Sequence, residues 1–113
     1  MDLSHNEEQN IYIVTVEGAL AGSEILKLRP YVTKLIEAGT PKAIILNLQD
    51  TIKIDSAGLG AITNIFQITR QREIGFALIE PDAHINQTLA DTLLGSVIPT
   101  HKTKEEALVF LEV

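Results

Sequence analysis

The chain has no cysteine and no tryptophan, and aromatic residues make up 4% of its 113 residues. Without cysteine there are no disulfides, no thiolate nucleophile and no cysteine metal site. Few aromatics leave no platform on which nucleic-acid bases could stack. Basic residues are also short: 9 Lys and Arg against 15 Asp and Glu give a net charge of −6. Phosphate backbones require a basic cluster, and none stands out, so nucleic acid is not an expected partner. No apolar run is long enough to span a bilayer, and no basic segment followed by an apolar one opens the chain. The expectation is one cytoplasmic domain over residues 1–113, with no membrane partner.

What is present is a regular alternation. Hydrophobic residues are 45% of the chain, enough for a core without staples. Met1 to Asn10 is polar and reads as frayed, with a short edge strand possible over Asp2 to His5. Ile11 to Glu17 has good β formers on both faces and reads as a strand. Gly18 to Gly22 reads as a loop, and Ser23 as the cap of a helix. In that helix Ile25, Leu28, Val32, Leu35 and Ile36 share one face. Pro30 interrupts the segment, so the helix either starts near it or kinks there. Gly39-Thr40-Pro41 ends it.

Ala43 to Leu48 is a continuous apolar run, as expected of a strand covered on both faces. Asp55 or Ser56 then caps a helix burying Leu59, Ile62, Phe66 and Thr69, with Ile65 beside them. Ile74 to Ile79 is a further buried strand. Pro81-Asp82 opens a helix carrying Ile85, Leu89 and Leu93, closed by Gly95. Val97-Ile98 reads as a short strand. Thr103-Lys104-Glu105-Glu106 has capping-box spacing before Ala107, Leu108 and Leu111. Alternating strands and helices predict an α/β fold with a mostly parallel sheet. Ligand sites in such sheets lie beyond the carboxyl ends of strands.

That rule directs attention to Ile54-Asp55-Ser56-Ala57-Gly58-Leu59-Gly60. The segment follows the central strand and displays a serine hydroxyl where a helix starts. Unpaired N–H groups there tolerate a phosphate. Other chemistries fit poorly. A dinucleotide fingerprint finds Gly58 and Gly60 but meets Thr63 at its third glycine. A P-loop needs a lysine, and none lies between Lys53 and Lys102. A nucleophile elbow needs glycine where Ile54 stands. The histidines are His5, His84 and His101; His84 reads as a solvated helix-start residue rather than a base. No His, Asp or Glu pair has metal-ligand spacing. No catalytic residue, metal or cofactor is expected. The plain alternative for Ser56 is an ordinary helix cap. Against it stand two glycines in the first turn, each costing ~1 kcal/mol relative to alanine.

Asp55-Ser56-Ala57-Gly58-Leu59-Gly60 resembles the D-S-x-G-L-G signature of STAS domains, in particular bacterial anti-sigma factor antagonists. Val16 to Leu20 resembles the family's first turn, and Ala43 to Asp50 its central strand. Leu93-Leu94-Gly95 and Glu105 to Leu108 fall where the family has its last two helices. The resemblance implies a mixed, mostly parallel sheet with helices packed on one face. It implies that Ser56 is a phosphorylation site, and that Asp55, Ala57, Gly58, Leu59 and Gly60 form a partner-binding surface. The implied partners are an anti-sigma factor with serine kinase activity and a PP2C-type phosphatase. One departure stands out. The family's first loop commonly reads G-x-L-D, and Ala21 occupies the aspartate position. A STAS scaffold within a larger assembly, with Ser56 unmodified, is the alternative this departure raises.

Overall fold

The computed structural model describes residues 1–92 and 97–112. The chain begins with two strands, β1 (Asp2–Glu8) and β2 (Ile11–Leu20), paired antiparallel through seven residue pairs. The polar start is thus a full edge strand, longer than the Asp2–His5 expected. Gln9 and Asn10 both have positive φ, 56° and 62°. A two-residue hairpin turn of the primed kind needs that backbone twist. Its usual asparagine-glycine signal is missing here.

A 3-10 helix (Gly22–Lys27) leads into α1 (Leu28–Gly39). Pro30 falls in the first turn of α1, where a missing N–H costs no helical bond, so the helix starts there rather than kinks. Ser23 does not cap either helix: the residues at the two starts are Ala21 and Lys27, and neither makes a side-chain cap bond. Thr40, in the left-handed region, ends α1 and donates its N–H to the Ile36 carbonyl at 2.9 Å.

β3 (Ala43–Asn47) and β5 (Gly75–Ile79) run parallel to β2 as the centre of the sheet. Between them come β4 (Thr51–Ile54) and α2 (Ser56–Gln71). After β5 follow α3 (Ala83–Ala90), β6 (Thr100–His101) and α4 (Lys104–Glu112). The strand order is β1-β2-β3-β5-β6, with β4 pairing the far end of β2. This is the mixed, mostly parallel sheet expected.

Strand alternation divides the core in two. Val14, Val16, Ile44, Leu46, Phe76 and Leu78 point to one face, where α1, α2 and α3 bury Val32, Ile36, Ile62, Ile65, Ile85 and Leu89. Ile11, Ile13, Ala43, Ile45, Ala77 and Ile79 point to the other, where α4 contributes Ala107 and Leu108. Among the described residues, α1, α2 and α3 therefore share one face, and α4 lies on the other. Burial on both sides explains why β3 is apolar without alternation.

Other local expectations shift slightly. The buried face of α2 is Gly58, Ile62, Ile65 and Thr69. Ile65 is core, while Leu59 and Phe66 are only partly covered. Val97-Ile98 is not a strand: Ile98 packs into the core, and the strand follows Pro99, whose carbonyl accepts the Leu78 N–H at 2.9 Å. Asp82 caps α3 by accepting the Ile85 N–H at 2.8 Å. Leu93 and Gly95 lie outside the described residues. Thr103 caps α4, accepting the Glu106 N–H at 3.1 Å, and the Glu106 carboxylate accepts the Lys102 N–H at 3.3 Å. The capping-box spacing was thus informative.

Candidate functional site

Ser56 is placed by β4, a strand not anticipated from the sequence. Thr51 anchors β4 with a buried hydroxyl that donates to the Val16 carbonyl at 2.7 Å. Gly18, Ala19 and Leu20 of β2 pair with Thr51, Lys53 and Ile54. The segment expected to be a loop from Gly18 is therefore strand as far as Leu20. Along β4 only Thr51 and Ile54 are buried, and Ile52 and Lys53 are exposed. A four-residue strand carries too short an alternation to stand out in the sequence.

Asp55 is the cap of α2, which settles the choice between Asp55 and Ser56. Its Oδ1 accepts the Gly58 N–H at 2.8 Å, and its Oδ2 accepts the Gly22 N–H at 3.1 Å. One carboxylate thus fastens both the start of α2 and the start of the 3-10 helix. The Gly58 N–H, and next the Gly22 N–H, hold this carboxyl below the usual aspartate range; partial desolvation opposes them, and the Ala57 N–H and Lys53 add to the lowering.

Because the folded value lies below the unfolded one, the stabilisation from Asp55 is complete above the ordinary aspartate value of about 3.9. It is lost as pH falls through the lowered folded value. Asp55→Asn keeps a capping oxygen but cannot ionise. In acid titrations followed by circular dichroism, the variant should lose less stability below about pH 4 than the wild type. Identical acid limbs would refute this assignment.

Ser56 is the first residue of α2 and is exposed. Ala57 and Leu59 are partly exposed and Gly60 is exposed. Gly58 is buried, and a Cβ there would collide with the Leu20 carbonyl oxygen and lie 3.2 Å from Ile54 Cγ2. Its lack of a side chain serves the packing of α2 on β2. Gly60 differs: a Cβ there meets nothing within 4 Å. Gly60→Ala should therefore stabilise the protein by ~0.5–1 kcal/mol through helix propensity, read as a higher urea midpoint with unchanged slope. A lower midpoint would mean that the space around Gly60 is not open.

The site can present a hydroxyl to a macromolecule at a helix start. It also places the Asp55 carboxylate beside any group attached to Ser56. Ala21, at the start of the 3-10 helix, adjoins Gly22 and so lies against this site. His84 is exposed on α3. What sequence reasoning missed was the Asp55–Gly22 clasp. Two residues 33 apart bond there only because β2 and β4 pair.

The fold has well-defined relatives. A Thermotoga maritima protein named as a putative anti-sigma factor antagonist superposes with a TM-score of 0.90 at 23% identity, over 98% of this chain and 95% of that one. The anti-sigma factor antagonist SpoIIAA in its unphosphorylated form gives 0.81 at 18% identity, over 98% and 96%. A sulfate transporter family protein from Wolinella succinogenes gives 0.80 at 18% identity, over 93% and 87%. Identities this low speak for fold alone. No curated protein sequence matches the chain. The STAS domain family profile matches residues 3–107, and the chain belongs to the STAS domain family.

Proposed function

We propose that this chain is an anti-sigma factor antagonist: a binding module that holds an anti-sigma factor with serine kinase activity while Ser56 is unmodified. Phosphorylation of Ser56 by that partner releases it, and a PP2C-type phosphatase resets the module. The chain itself needs no catalytic residue for this cycle, which would run in the cytoplasm. The observation that carries the reading is the exposed hydroxyl of Ser56 at the first position of α2. Asp55, Ala57, Leu59 and Gly60 offer a low surface around it, with Gly58 shaping that surface from beneath. The kinship of fold with anti-sigma factor antagonists supports the same reading.

The physics of the switch is local. A phosphoserine adds roughly −1.5 to −2 charge at pH 7. The helix start favours that charge by ~0.3–1 kcal/mol, while Asp55 repels it. The fold should tolerate the group, because Ser56 projects into solvent. A partner covering the site would have to bury it.

Ala21 favours a second reading, a STAS scaffold in a larger assembly with Ser56 never phosphorylated. It removes a carboxylate from the loop that Gly22 fastens to the site. Intact-mass measurement of the protein from its own cells separates the two. A phosphorylated fraction that disappears in Ser56→Ala supports the switch. Its absence under every growth condition in which the protein is made would defeat the switch and leave the scaffold.

A further inference from the structure

The face of the sheet carrying α4 holds a cleft that the Ser56 reading does not use. α4 lies over β5 and β6, and the β1 residues on the same face, Ser4, Asn6 and Glu8, are polar. Ser4 of β1, Thr15 of β2 and Asn47 of β3 are in register across three adjacent strands, followed by Ile79 of β5. Neighbouring strands are ~4.8 Å apart, so two hydroxyls and an amide form one row. By strand alternation they share the face of Ile13 and Ile79, both buried. A cavity of about 450 Å³ sits over this row, floored by those isoleucines and walled by Glu80, Lys104 and Glu105. Pockets of about 300–1,000 Å³ accept small ligands. The cavity lies at the carboxyl ends of β3 and β5, where open α/β sheets place ligands.

The chemistry of the lining restricts the ligand. Neutral donors and acceptors form the row, and buried aliphatic groups form the floor. That combination matches a compact molecule with C–H faces and hydroxyl edges. The cation in the wall is already engaged: Lys104 Nζ lies 2.9 Å from Glu8 Oε2. Glu8 holds the Lys104 ammonium above its ordinary range, with Glu105 and Glu80 adding to the effect. His5, the other basic residue of the lining, has its Nδ1 2.6 Å from the Tyr31 hydroxyl; with both basic side chains engaged, Glu80 and Glu105 remain to accept hydroxyl hydrogen bonds, and bonds to charged acceptors are the stronger kind.

We infer that this cleft is a binding site for a small polyhydroxy compound of monosaccharide size bearing no negative charge. It is independent of the switch at Ser56, since none of these residues belongs to that loop.

The test titrates isotopically labelled protein with glucose, glucosamine and glucose 6-phosphate, one scaffold in three charge states. Saturable amide shifts at Thr15, Asn47 and Glu80 are expected with glucose or glucosamine in the millimolar range, and none with the phosphate ester. The double variant Ser4→Ala/Thr15→Val should bind about tenfold more weakly, because two hydroxyl partners are gone. No saturable shift with either sugar overturns the site. So does equal binding of the phosphate ester, or undiminished binding by a folded double variant. If that variant does not fold, the three titrations of the wild type decide alone.

Discussion

Gly58→Ala should destabilise the protein by about 3 kcal/mol or more, since overpacking against a fixed group exceeds the cost of adding a methyl to a yielding core. The group struck is the Leu20 carbonyl oxygen, and Leu20 Cα–carbonyl geometry cannot rotate away as a side chain could; the carbonyl carbon itself would lie 3.0 Å from the new Cβ. Leu20 is fixed in turn by its pairing with Ile54 and by full burial. Relief would require α2 to lift off β2, which would strain the Asp55 bonds to Gly58 and Gly22. For a domain of this size the thermal midpoint should fall on the order of 10–20 °C. The paired control is Gly60→Ala, the same substitution two residues on, where the change should be stabilising. A Gly58→Ala midpoint within error of wild type would show that α2 does not rest on Leu20.

Ser56→Asp should weaken binding to the proposed anti-sigma factor on the order of 100-fold, while Ser56→Ala binds at least as well as wild type. A charge buried without a partner costs several kcal/mol, and each ~1.4 kcal/mol is tenfold in affinity. Aspartate carries less charge than phosphoserine, so the phosphorylated protein should bind more weakly still. Both variants should melt close to wild type, because residue 56 is exposed on the helix start. That separates a switch on binding from a switch on folding. Isothermal titration against the isolated partner is the direct measurement. Equal affinities for the two variants would end the switch proposal, and a collapse in the melting point of Ser56→Asp would place the effect in the fold.

Much of this architecture was legible from residue pattern. The apolar runs at Ala43 to Leu48 and Ile74 to Ile79 became the parallel centre of the sheet, because strands buried on both faces need no polar alternation. Caps were legible where an acid or hydroxyl precedes a helix, as at Asp82 and Thr103. Ser23 looked equally suitable and caps nothing, because the backbone there forms a 3-10 turn that begins one residue earlier. β4 was not legible: four residues with two buried positions fall below what periodicity can resolve. The two glycines near Ser56 were read together as an approach surface. The structure separates them, one pressed on a carbonyl and the other facing open space.

Residue order alone determined the alternation of strands and helices, the parallel centre of the sheet and the candidate serine at the mouth of a helix. Those properties follow from local periodicity and from single residues with strong backbone preferences. Tertiary structure decided that Asp55 is consumed by two backbone donors, that Gly58 is a packing residue, and that α4 crosses to the face left open by the other helices. It also aligned Ser4, Thr15 and Asn47 into one polar row. Each of these depends on which distant segments meet, and contacts between segments far apart in the chain leave no signature in the short-range spacing of either one.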